Sequence, residues 1–207
     1  MKNRIIIVSL ILMVVITQST VCSSSRTTKQ NTSGTNVTDI DGNVYPIIII
    51  GQREWMGSNL KTSRYSDGKV IGSGTKERFF SKSGQEPAFV WYNNDSINEK
   101  EYGRLYNYFA VLEGLLCPIG WHIPDEEDWQ SVGIDINNFN IQLGGYMNPN
   151  DLISFHHLGN TGFWWSSASV GRNTAMHFYM KKEERKFVRG GSDESHFMSV
   201  RCVRKIH

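Results

Sequence analysis

The stretch GLLCPIGWHIPDEEDW, Gly114 to Trp129, gathers the residue types that do chemistry. Cys117 is a latent thiolate, His122 a latent base or ligand, and Asp125, Glu126, Glu127 and Asp128 a run of carboxylates. Such a set could hold a metal ion, activate a thiol or pass a proton. Each use demands a particular geometry. A zinc site needs three or four ligands at set spacings. The remaining histidines, His156, His157, His177, His196 and His207, form neither HxxxH nor HExxH, and the chain has no CxxC. His122 therefore reads as a packed, hydrogen-bonded histidine. Paired catalytic carboxylates must oppose one another across a cleft, and nothing in this spacing provides that.

Helix geometry explains the acids instead. Pro124-Asp125 precedes EEDWQSV. Asp125 suits an N-cap, and Asp128, three residues on, completes a weak capping box. The acids of the first turn each interact favourably with the helix dipole by about 0.3–1 kcal/mol. Trp129 then points to the core or to a neighbouring helix. Upstream, YGRLYNYFAVLEGLL carries Tyr102, Leu105, Tyr106, Phe109 and Leu112 at helical spacing, which predicts a first helix with one buried face ending at Gly114. The run VTDIDGNVYPIIII predicts a turn at Asp41-Gly42-Asn43 followed by a strand over Val44–Ile50. Asp39, Asp41 and Asn43 hint at a calcium loop, but an EF-hand needs glycine at its sixth position and glutamate at its twelfth; a hairpin turn fits better. FVWYNND predicts an aromatic strand ending in an Asn/Asp turn.

Composition bounds the rest. The chain has 207 residues, 39% hydrophobic and 12% aromatic, with net charge +2. It can build a core, and no basic block calls for nucleic acid. Lys2 and Arg4 precede a short apolar run, Ile5 to Ile16, which has the form of a secretory signal (residues 1–22) rather than a membrane span. An uncleaved amino-terminal anchor is the competing reading. Cys22 stands where a lipid-bearing amino terminus would be made, although STVC is a poor lipobox; lipidation at Cys22 and simple cleavage both remain open. Residues 23–36 are rich in Ser, Thr and Gly and read as a flexible tether. Together these features predict export and display at the cell surface, or secretion, with a membrane link only through a lipid anchor. In an exported protein Cys117 and Cys202 are an even pair and read as a disulfide.

The series TDIDGNVYPIIIIGQREWMGSNLKTSRYSDGKVI, WYNND, YGRLYNYFAV, LCPIGWHIPDEEDW, LGGY, FWWSSA and SVRCVR resembles, in order, the Fibrobacter succinogenes major paralogous domain (FISUMP) of surface and secreted proteins of Bacteroidetes. The resemblance covers residues 37–207. It implies an α+β, C-type-lectin-like fold with two helices, small mixed or antiparallel sheets, long loops, and adjacent amino- and carboxyl-terminal strands. The bridge between Cys117 and Cys202 agrees with it. SVGIDINNFNIQ, between Trp129 and Leu143, is shorter than the family's pattern, so the second helix is expected to be short.

Function does not follow from such a fold. Calcium-dependent lectins use Glu-Pro-Asn and Trp-Asn-Asp triplets. Here Ala88 follows Glu86-Pro87, and Tyr92 interrupts WYNND, so calcium-dependent sugar binding is not expected. The formylglycine-generating enzymes share this broad fold but need two poised thiols, which the bridge would consume. No nucleophile, base and orienter assemble. The expectation is a non-catalytic binding module for a glycan or a host or envelope protein, without a cofactor; the alternative is a structural component of the envelope. Trp164, Trp165, Tyr146 and Arg172 are the candidate ligand contacts. Adjacent strand residues face opposite ways, so Trp164 and Trp165 either both pack on opposite faces, the simpler outcome, or one is exposed near Arg172 as a stacking platform. If both are core, the binding surface must lie in the loop Asn137 to Asn150.

Overall fold

The computed structural model describes residues 36–74, 85–133 and 135–206. The signal-like segment, Cys22 and the tether up to residue 35 lie outside the described residues.

Among the described residues the regular structure is mostly strand, with three short α-helices and two 3-10 turns, an α+β architecture dominated by β. Strands β1 (Asn36–Thr38), β2 (Val44–Ile50), β3 (Arg53–Met56) and β13 (Val203–Lys205) form one antiparallel sheet in the order β1-β2-β3-β13. The beginning and end of the domain thus share a sheet. A second, nine-stranded sheet uses β4 (Gly72–Ser73), β5 (Ala88–Val90), β6 (Leu105–Asn107), β9 (Thr161–Gly171), β10 (Thr174–Lys181), β11 (Val188–Asp193) and β12 (Phe197–Ser199) in the order β11-β10-β9-β12-β6-β5-β4. The hairpin β7 (Tyr146–Asn148) and β8 (Ser154–His156) branches from β12.

The strand expected over Val44–Ile50 is present as β2. The DIDGN turn before it is closed by Asp39, whose carboxylate accepts from the Asp41 and Asn43 amides and from the Tyr45 hydroxyl. The predicted first helix is different. It is split into α1 (Glu99–Tyr102), β6 and α2 (Tyr108–Leu112). Gly103 stops α1 at φ +75°, a conformation open to glycine. Leu105, Tyr106 and Asn107 are all buried, because β6 is covered on both faces; without a polar side it shows no two-residue alternation, and its apolar residues fell into apparent helical register. The second helix, α3 (Glu126–Val132), is short, and its capping box is formed by Asp125 and Asp128 as expected.

Trp164 and Trp165 are both fully buried. They point to opposite faces of β9, each into its own cluster. Trp164 joins Trp129, Phe139, Phe178 and Trp55; Trp165 joins Tyr45, Tyr106, Tyr108 and Val200. Neither ring is a surface platform, which corrects their candidacy as ligand contacts. Arg172, on the exposed β9–β10 turn, has no exposed tryptophan beside it.

Cys117 and Cys202 are joined in a disulfide across 85 residues of sequence. Both cysteines are buried, and the Cys202 carbonyl accepts from the Met56 amide of β3. Cys117→Ala/Cys202→Ala is expected to lose about 2–4 kcal/mol through the freed unfolded chain. Chemical denaturation of the double variant measures this; a loss below about 0.5 kcal/mol would show that the bridge adds nothing.

Candidate functional site

The opening stretch of acids is absorbed by structure. The Asp128 carboxylate, almost fully buried, accepts from Arg53 Nε (2.5 Å), from the Asp125 amide (3.1 Å) and meets His122 Nε2 at 3.0 Å. Burial raises its pKa, but the hydrogen bonds from His122, Arg53 and Asp125 outweigh this and hold it at about 2. Asp128 is therefore held in its charged form as the third-position partner of the capping box, and it ties α3 to β3. His122 also pairs through its backbone with Val203. It is hydrogen-bonded, as expected, although its side chain is 47% exposed. In the WYNND segment, Trp91 Nε1 donates to Glu99 at 2.5 Å, and the Asp95 carboxylate accepts from the Ile97 amide. These oxygens serve turns.

One cavity, about 500 Å³, lies under β1 between Ile40, Ile47, Pro118, Ile119 and Trp121. Its charged neighbours are already committed: Asp39 to Tyr45 and Asn43, and Arg204 to Glu54. It has little left with which to recognise a ligand.

The Asn137–Asn150 segment offers more. A cleft of about 460 Å³ is lined by Glu101, Tyr102, Asn140, Gln142, Gly159 and Lys182. Its amides are fixed from behind. Asn59, fully buried, accepts from Trp164 Nε1 and from Arg201 Nη2, both at 2.9 Å, and donates to the Tyr102 carbonyl and Ser199 Oγ. Gln142 Oε1 accepts from the Asn59 amide at 2.5 Å, and Arg201 Nη1 donates to the Asn140 carbonyl at 2.7 Å. Arg201 is fully buried over the Phe139 ring, 4.3 Å from its centroid, and none of its hydrogen-bond partners is a carboxylate. Burial alone draws the guanidinium down to about 9. Gln142 Nε2 also donates to the Glu101 carbonyl and Asn140 Nδ2 to the Gly57 carbonyl, so the cleft presents amides held rigidly in place, each with one N–H already used, and rigidity is what recognition of a polar ligand requires.

Across the turn His157–Asn160 from this cleft lies an aromatic face. Tyr146 on β7 is half-buried and stands 4.9 Å from the Phe163 ring. Three imidazoles surround it at shallow angles: His156 at 5.0 Å and 27°, His157 at 5.9 Å and 29°, and His196 at 5.8 Å and 31°. Tyr179 stacks on Phe163 at 5.7 Å, and His177 lies buried between Phe163, Tyr179 and Trp165. The register explains the assembly. Tyr146 pairs with His156 across the β7–β8 hairpin, and Phe163 with Tyr179 and Trp165 with His177 across β9–β10. His157 adopts φ +67° and is exposed. Leu152 and Ile153, in the β7–β8 loop, are also left-handed, and Leu152 is 95% exposed. Such conformations cost an L-residue about 1–2 kcal/mol each and gather at functional loops.

Of the sequence-derived contacts, Tyr146 alone is placed on this surface. The histidines were missed as a group. They are scattered from His156 to His196, and only strand register brings them together.

With this geometry in place, residues 48–138 match the model of the Fibrobacter succinogenes major domain. This stretch of the chain is similar to that domain. No curated protein and no solved structure matches the chain. The matched major domain residues hold Asn59, Cys117 and the α3 capping box, whereas Tyr146 and the histidine cluster follow the matched stretch.

Proposed function

We propose that the protein is a non-catalytic, exported binding domain of C-type-lectin-like architecture, displayed at the cell surface or secreted, that holds a glycan through the Asn137–Asn150 segment. The observation that carries this reading is the half-buried Tyr146, ringed by imidazoles and Phe163 and separated by one turn from a cleft of fixed amides. Aromatic faces take the apolar side of a sugar ring, and amides take its hydroxyls. The α+β fold and the sharing of one sheet by the first and last strands, β1 and β13, support the lectin-like architecture. The non-catalytic reading is supported by the commitment of both cysteines to a bridge and of the His122–Asp128 pair to a helix cap. Export rests on the signal-like amino terminus and tether; lipidation at Cys22 is tested by fatty-acid labelling and its loss in Cys22→Ala.

A glycan array and an envelope pull-down with the mature chain test the reading. Tyr146→Ala should cost less than about 2 kcal/mol in stability, since the ring is only half-buried, yet weaken binding about tenfold or more. Unchanged affinity in a folded Tyr146→Ala chain would move the ligand away from this face. Capture of one envelope protein with no glycan bound would favour a structural role in the envelope.

A further inference from the structure

We propose that His177 is a proton sensor beneath the ligand face: the face holds a neutral sugar ring while His177 is unprotonated, and comes apart when His177 takes a proton. This rests on the reading above for its ligand, but the sensor itself stands on geometry. His177 is 5% exposed. Its ring lies 5.8 Å from Phe163, 6.1 Å from Tyr179 and 6.2 Å from Trp165. Its Nδ1 has no hydrogen-bond partner. On the other side the backbone of β11 presses against it: a Cβ built on Gly190 would lie 2.4 Å from His177 Nε2. The pocket therefore fits a neutral imidazole and offers a second N–H no acceptor. A buried charge without a partner must be rehydrated, and the Phe163 and Tyr179 rings and the backbone of β11 are the neighbours that would have to give way around Nδ1.

The charged and titratable groups around it leave this balance intact. From the hairpin come Tyr146, His156 and Asp151; from the following turn His157; from β10 Tyr179; from the end of β11 and its turn Asp193, Glu194 and His196. Burial disfavours a charge on His196, Asp193 favours it and His156 opposes it, and the net effect is to lower the His196 pKa. His196 in turn opposes a charge on His177. Burial first, and His196 second, draw His177 down from 6.5 to about 4. The sign follows from linkage. The unfolded chain takes the proton more readily, so this contribution to stability is complete above pH 6.5 and is lost as pH falls from 6.5 towards 4. The difference is a few hundredfold in proton affinity, at about tenfold per unit.

Imidazole and aromatic NMR signals of the mature chain, followed from pH 7.5 to 3.5, test the sensor. His177 is expected to titrate with a midpoint near 4, and the Phe163 and Tyr179 rings to shift or broaden in the same step. His177→Asn removes the titration without adding bulk against Gly190; its two rings should keep their signals through that range. A His177 midpoint near 6.5, or Phe163 and Tyr179 signals unmoved while His177 titrates, overturns the proposal. The wild-type titration decides even if the variant does not fold. A parallel glycan array at pH 7.4 and 4.0 separates the two readings. Glycans bound at pH 7.4 and lost at pH 4.0 support gating. Equal binding at both overturns gating and leaves the binding function standing. No binding at either pH removes the glycan reading, while the NMR titration still decides whether His177 senses protons.

Discussion

Trp164→Ala and Trp165→Ala will each lower stability by about 3–5 kcal/mol, the cost of emptying a large buried aromatic site. Both rings are fully buried, but they fail differently. Trp164 lies among Trp129, Phe139 and Phe187 at centroid distances of 6.0, 6.4 and 5.6 Å, and its Nε1 donates to Asn59. It also covers Gly162 so closely that a Cβ there would lie 2.1 Å from the ring. Its removal opens a cavity and takes one donor from the Asn59 network. Trp165 packs on Tyr108 at 5.2 Å and donates to the Tyr106 carbonyl at 2.7 Å. Its removal leaves that carbonyl unpaired and opens space beside His177, so the Trp165→Ala variant should also raise the His177 midpoint towards 6.5, while Trp164→Ala should not. Urea denaturation gives the first quantity and imidazole NMR the second. A loss below about 1 kcal/mol at either position would falsify its role as a core residue.

These two residues also mark how far the sequence could be read. The period of two in a strand is a local rule, and it required that adjacent tryptophans part company; only the second packed face was needed to bury both. The α3 capping box was legible for the same reason, since Asp125 and Asp128 meet within one turn. So was β2, a β-branched run between a turn and Gly51. The cysteine pair needed only counting and an oxidising compartment. Failure came where burial on both faces erased periodicity, as in β6, and where the proposed ligand face is assembled from distant chain segments. His156, His177 and His196 come from three separate strands or turns. The amides of the cleft are fixed by residues up to 142 positions away, as in the Arg201 to Asn59 hydrogen bond. No local pattern encodes such a meeting.

Asn59→Ala should prove as damaging as loss of either tryptophan, about 3–5 kcal/mol, although it removes only a small polar side chain. Packing does not explain this; desolvation does. Asn59 Oδ1 accepts from both Arg201 Nη2 and Trp164 Nε1, and its Nδ2 donates to Tyr102 O and Ser199 Oγ. Without it Arg201 keeps Gln142 Oε1 at 3.4 Å and the Asn140 carbonyl, with its Nε already unpartnered. A stranded neutral donor costs about 1–3 kcal/mol, and a buried cation that loses a partner about 3–5. The cation is therefore expected to dominate, which a double-mutant cycle can isolate. Arg201→Met keeps the stem over Phe139 and removes the charge. In that background Asn59→Ala should cost at least about 1 kcal/mol less than in the wild type. Equal costs in both backgrounds would show that Asn59 acts through Trp164 and the backbone, not through Arg201. The Gln142 side chain does not lean on the Asn59 side chain: its Oε1 accepts from the residue-59 backbone amide and its Nε2 donates to the Glu101 carbonyl, so in the folded fraction of Asn59→Ala its side-chain amide signals should stay near their wild-type positions.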